Sequence, residues 1–123
     1  MKCVMLIYES AADLDSRKDP GPAPYVAAWR AYYKALVAAG AYVSGEPLTA
    51  GSTSTTVRLK DGRRHVQDGP FAEAKERLGG FIILDVPTLE AGLEWAARCP
   101  AAVSGGVEVI PIDVDFHDIV VAP

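Results

Sequence analysis

Histidine and cysteine, the side chains that most often carry metal or nucleophilic chemistry, occur only twice each in 123 residues. Cys3 and Cys99 lie far apart and neither belongs to a Cys-x-x-Cys pair, which leaves no zinc or thiol-redox framework. In a chain kept reduced in the cytoplasm both read as small buried hydrophobes. Positive charge is short as well: Lys and Arg number 12 against 16 Asp and Glu, a formal net charge of −4. No basic cluster is larger than the pair Arg63-Arg64, so the electrostatic footprint of a nucleic-acid binder is missing. No apolar run approaches the roughly 18 residues of a membrane span. The run that opens the chain stops at Glu9, too short for the core of a secretory signal. Nucleophile elbow, P-loop and dinucleotide fingerprint are absent. These absences lead us to expect a cytoplasmic protein with no cofactor, no resident metal, no nucleic-acid partner and no membrane partner.

What is present is enough apolar material for a core. Half of the residues are hydrophobic and 23% are charged, the balance of a globular protein and the size of one domain. We therefore expect a single domain over 1–123, with 113–123 as a C-terminal tail. Lys2 to Tyr8 is apolar on both alternating faces, Cys3, Met5 and Ile7 on one and Val4, Leu6 and Tyr8 on the other. That pattern marks a central strand covered on both sides. Residues 11–24, rich in Asp, Pro and Gly, read as a loop and a candidate lid. From Tyr25 to about Ala39 the residues Val26, Trp29, Tyr33, Leu36 and Val37 recur at helical spacing, with Gly40 as the stop.

Ala41 to Ser44 begins a second strand. Thr55–Lys60 and Arg64–Gln67 flank Asp61-Gly62, a strong two-residue hairpin signal because both residues tolerate the positive φ of a type I′ turn. Phe71 to Arg77, entered through Pro70, has room for two helical turns, and Gly79-Gly80 reads as a break. Phe81 to Val86 is another strand with little polarity on either face. Thr88 is a plausible N-cap for a helix to about Cys99, with Leu89, Leu93 and Ala96 on its inner stripe. Val107 to Ile112 is the last core strand.

Without the hairpin this order is βαββαβ, the α+β ferredoxin-like plan, whose first and third core strands lie in mid-sheet. Those are the two strands that are apolar on both faces. Right-handed crossovers put both helices on one face. The other face then needs a second sheet against it, so a homodimer is expected.

Val66-Gln67-Asp68-Gly69-Pro70-Phe71-Ala72-Glu73-Ala74-Lys75-Glu76, followed by Leu78-Gly79-Gly80-Phe81, resembles the DGPF signature of the YCII-related family. Met5-Leu6-Ile7-Tyr8, Gly45-Glu46-Pro47-Leu48, Thr56-Val57-Arg58, Leu93-Glu94-Trp95-Ala96-Ala97-Arg98 and Gly106-Val107-Glu108-Val109 extend the similarity to about residue 112. The resemblance implies a ferredoxin-like fold whose sheets pair into a dimeric α+β barrel. It implies no known reaction. Some relatives occur beside or fused to sigma factors of the extracytoplasmic-function type. For shorter members a His–Asp catalytic pair has been proposed. Its positions would fall near Trp29 and Cys99, neither of which carries the required side chain, so that pair does not transfer.

Among the acids, Asp68 precedes Gly-Pro at the end of the hairpin and could present a catalytic carboxylate to a pocket beside the sheet. The local alternative is a turn role, in which the carboxylate holds backbone N–H groups. Glu73, Lys75 and Glu46 are candidate ligand-binding residues, and Glu73 has the alternative of a surface pair with Arg77. Arg58, on a strand between Val57 and Leu59, is a candidate anion contact or simply solvated. His65 has no second ligand nearby in sequence. In an extended tail Asp113, Asp115 and His117 would share one face, which would suit a divalent metal or a charged, aggregation-resistant edge. Trp29, Tyr32 and Tyr33 read as mostly core, with one of them free to line a pocket. The leading expectation is a small-molecule-binding dimeric barrel, with or without catalysis, whose pocket lies between sheet and helices with Asp68 and Glu73 as polar anchors. The competing one is a non-enzymatic regulatory or interaction module tied to a sigma factor.

Overall fold

Strict alternation decides the centre of the molecule. In the strand Lys2–Glu9 (β1), residues Cys3, Met5, Ile7 and Glu9 are buried while Val4, Leu6 and Tyr8 are only half-buried. The computed structural model describes residues 1–18, 23–49, 54–72 and 74–123. After β1 come a short helix Ala11–Ser16 (α1), helix Pro24–Ala38 (α2), strand Tyr42–Pro47 (β2) and the hairpin Thr55–Lys60 (β3) and Arg63–Asp68 (β4). Then follow strand Arg77–Asp85 (β5), helix Leu89–Arg98 (α3), strand Gly106–Pro111 (β6) and helix Val114–Val121 (α4). The main sheet runs β2-β5-β1-β6 with every neighbour antiparallel. The fold is α+β and ferredoxin-like, with β1 and β5 in the middle and β3–β4 as a separate ribbon.

α2 and α3 cover one face. Tyr32 and Leu36 of α2 and Gly92 and Ala96 of α3 are buried against Cys3, Met5, Ile7, Ile82 and Leu84. The inner stripe of α3 differs from the expected one: Leu89 and Leu93 are 41% and 44% exposed. Gly92 takes the inner position because a Cβ there would stand 3.2 Å from the Cys3 sulfur, so the helix packs its smallest residues on the sheet. On α2, Tyr33 and Val37 are likewise half-exposed, and Tyr32 rather than Tyr33 points into the core, donating its hydroxyl to the Trp95 carbonyl at 2.7 Å.

Four further expectations are corrected. The segment after β1 begins with helix, because Ser10 caps α1 by accepting from the Asp13 amide at 3.2 Å; of the candidate lid, residues 19–22 lie outside the described ones. The described residues of 71–76 bend instead of forming two helical turns. There Phe71 lies under the Arg58 guanidinium, 4.5 Å from its ring centre, and Arg77 and Leu78 pair with Glu9 and Tyr8 as strand. Gly79-Gly80 is inside β5 rather than a break, with Gly79 the extra residue of a bulge where the register with β1 shifts between Ile7 and Tyr8. The tail is helical: Asp113 accepts from the Phe116 amide at 2.9 Å and caps α4, which removes the extended arrangement of Asp113, Asp115 and His117. No described helix is long and apolar enough to cross a membrane.

The hairpin turn is as the Asp-Gly pair dictates. Asp61 and Gly62 have φ of 53° and 71°, and Lys60 pairs with Arg63, the geometry of a type I′ turn. The ribbon is amphipathic, since the directly opposed Val57 and Val66 share a face with Leu59. Those three residues are 55–75% exposed.

Candidate functional site

Glu9 is the one buried charged residue among those described, at 3% exposure. It stands at the end of β1 in phase with Cys3, Met5 and Ile7, so the pleat turns its carboxylate toward the helix-covered side. Its oxygens divide their partners. Arg17 Nη1 donates to Oε1 at 2.9 Å, and the Tyr25 hydroxyl donates to Oε2 at 2.6 Å. Arg17 follows α1 and reaches further, donating from Nη1 to the Gly79 carbonyl at 3.3 Å and from Nη2 to the Leu48 carbonyl at 2.8 Å. One guanidinium thus ties the end of β1 to β5 and to the residue that follows β2. In the ladder Arg77 stands opposite Glu9, and its Nη1 is buried with no hydrogen-bond partner among the described residues.

The seat for this carboxylate is made by absence. A Cβ at Gly79 would collide with Glu9 Oε1 and with the carbon that bears it. The glycine therefore gives the acid its place against the strand.

Glu9 and Arg17 form part of the wall of a cavity of about 520 Å³ between α2 and the sheet, within the usual range for small-molecule sites. Val26, Trp29, Arg30, Tyr32 and Tyr33 line it from α2, Tyr42, Glu46 and Pro47 from β2, and Ile7 and Gly79 to Ile82 from the central strands. Its aromatic residues are braced edge-to-face: Trp29 meets Tyr32 at 5.7 Å and Tyr25 at 6.3 Å, and Tyr33 meets Tyr42 at 5.1 Å between ring centres. Burial, and after it the hydrogen bond to Glu9, pushes the Tyr25 hydroxyl pKa well above its ordinary value. Burial raises Tyr32 in the same direction. Both phenols stay protonated at neutral pH, and Tyr25 is a fixed donor to Glu9.

Of the residues chosen from sequence, Glu46 lines this cavity. Asp68 does not line it; it ends β4 on the exposed ribbon. Nor does it hold the turn there. Gly69, at φ 103°, donates its amide to the Ser54 carbonyl at 2.7 Å, and its carbonyl accepts from the Thr56 hydroxyl at 2.9 Å. The next residue, Pro70, has no N–H to give. Arg58 is on the same ribbon over Phe71, and Lys75 is exposed beyond it. Glu73 lies outside the described residues. Trp29, Tyr32 and Tyr33 all line the cavity. Glu9 itself was readable in the sequence, since alternation from Cys3 already puts position 9 on the covered face.

The chain belongs to the family of the YCII-related domain, which it matches over residues 1–115. It is 37% identical over 67 residues to an uncharacterized protein of Rhizobium meliloti (strain 1021), a match spanning 53% of this chain and 54% of that protein. The match thus covers about half the length of that curated relative. Among solved structures it is similar to the 5-chloro-2-hydroxyhydroquinone dehydrochlorinase of Burkholderia phenoliruptrix AC1100, determined in complex with 2,5-dihydroxybenzoquinone. The TM-score is 0.53 at 17% identity, over 92% of this chain and 94% of the other. That likeness establishes a shared fold.

Proposed function

We propose that this protein, as a member of the DGPF branch of its family, binds a small and largely apolar organic molecule in the cavity between α2 and the sheet. Glu9 is its polar anchor. The observation that carries this reading is a carboxylate, 3% exposed, in the wall of an aromatic cavity of about 520 Å³. Burying an acid is costly, and Arg17 and Tyr25 offset that cost. A plain structural core has little use for an acid turned toward an open hollow. The Burkholderia enzyme holds a small ring compound on a scaffold of the same fold.

The functional unit we propose is a homodimer in which the uncovered sheet faces meet. The row Ile83–Val4–Ile110 runs apolar across three strands on the face away from α2 and α3. Val114, Phe116, Ile119, Val120 and Val121 of α4 are each more than half exposed, as are Val57, Leu59 and Val66 of the ribbon. A standard interface takes about 800 Å² from each partner, and these exposed apolar residues would supply this chain's share.

Fluorescence tests the cavity. Trp29 lines it and Trp95 does not, so Trp95 serves as an internal reference. Small ring compounds that bind should quench Trp29, and Trp29→Phe should abolish the response. Compounds that bind tightly yet leave Trp29 emission untouched would overturn the assignment of this cavity.

A further inference from the structure

The lone pairs of Glu9 are only half used. A carboxylate offers about four acceptor positions, and donors among the described residues fill two, Arg17 on Oε1 and Tyr25 on Oε2. The remaining two belong to a side chain 4% exposed, and buried acceptors normally find donors. The surrounding wall supplies few. The Tyr32 hydroxyl is committed to the Trp95 carbonyl and the Tyr42 hydroxyl to the Gly45 carbonyl. Arg77, opposite Glu9 in the ladder, has a buried Nη1 with no partner among the described residues, but it does not line the cavity; on the cavity side the remaining donor comes from the occupant.

The charges of the wall narrow the occupant further. Glu9 and Glu46 are matched by Arg17 and Arg30, so the walls favour neither a strong anion nor a strong cation. The braced aromatic walls favour a flat ring. Resting on the pocket reading above, we infer that the natural ligand is a neutral planar ring compound that donates a hydrogen bond, from a ring hydroxyl or a ring N–H, to the free lone pairs of Glu9. Arg17 is a positioning residue: it ties the carboxylate to the Leu48 and Gly79 carbonyls and fixes the direction in which the acceptor points. Nothing is transferred in this step beyond sharing the ligand's proton across the hydrogen bond.

The test compares donors with their methylated twins by calorimetry on the intact protein. 4-Nitrophenol, kept protonated by the choice of pH, is set against 4-nitroanisole; indole is set against 1-methylindole. A hydrogen bond to a charged acceptor predicts a donor-over-methyl preference of roughly 10- to 100-fold. If the preference appears only in the first pair the donor is a hydroxyl, and if only in the second it is a ring N–H. Glu9→Gln, checked for folding by circular dichroism, should reduce that preference to a few-fold, because a neutral amide is a weaker acceptor than a carboxylate. Tyr25→Phe frees a further lone pair and should keep or increase it. Equal binding of donors and methylated twins by the wild-type protein overturns the inference while leaving the cavity reading standing. Failure of all four probes to bind overturns the cavity reading itself.

Discussion

The carboxylate of Glu9 occupies the space where residue 79 would carry a side chain, and only because Gly79 has none can the two strands run side by side there. The acid is thus part of the packing of the sheet as well as of the cavity wall.

Gly79→Ala should therefore act as a mutation of Glu9 at a distance. The added methyl forces the carboxylate away from Arg17 and Tyr25, and chemical denaturation should show a loss of about 2–3 kcal/mol, the cost of overpacking plus a disturbed buried pair. The double variant Gly79→Ala/Glu9→Ala should be less destabilised than the sum of its parts, since the shortened side chain leaves room for the methyl. Additive effects would show that the two residues are independent.

Alkaline pH should unfold the protein through groups whose protons the fold retains. Burial raises the Tyr25 and Tyr32 hydroxyls above their ordinary pKa of 10.0 and pushes the Cys99 thiol from 9.0 up to about 11. Between those ordinary values and the raised ones the unfolded chain releases protons that the folded chain keeps, so stability falls as pH rises. The loss should begin near pH 9, where the thiol of the unfolded chain titrates, and steepen above 10.0 as the phenols join it. Tyr25→Phe should flatten the upper part of the fall in denaturant midpoints, and an unchanged slope would remove Tyr25 as a contributor.

The proposed dimer makes its own demand. Light scattering at micromolar concentration should give twice the chain mass, and Val4→Arg, in the middle of the apolar row, should give a folded monomer with its α2 side intact. A wild-type monomer under these conditions would refute the pairing of sheets. Cutting the chain after Ile112 should weaken the dimer without unfolding the subunit, because every α4 residue is exposed in the single chain.

The sheet was legible because alternation in Lys2–Tyr8 and Phe81–Val86 reports burial directly, and the ribbon because Asp61-Gly62 leaves few alternatives to a tight turn. The helix faces were less so. On α3 the sequence favours Leu89 and Leu93 by hydrophobicity, whereas the close approach of Gly92 to Cys3 turns the helix about its axis. The tail misled for a related reason: Asp113, Asp115 and His117 alternate like a strand, yet the first of them is a good cap and no described strand pairs with the segment to keep it extended. The candidate site was missed at Glu9 by treating an acid as the end of an apolar run instead of continuing the alternation one step further. Asp68 belongs to a distinctive motif, and in the structure it ends β4 where Gly69, at positive φ, turns the chain out of the ribbon.

The ribbon itself is an excursion between strands that are already neighbours. The pairing of β2 with β5 continues to the Leu48 amide on the Gly79 carbonyl at 2.8 Å, so the chain departs and returns at almost the same point. Residues 49–76 could thus be lengthened, shortened or exchanged without altering the order of any core strand, since closing a loop costs little more as it grows. The architecture separates the four-stranded frame that walls the cavity from a two-stranded ribbon outside its sheet, which gives this scaffold a natural splice point.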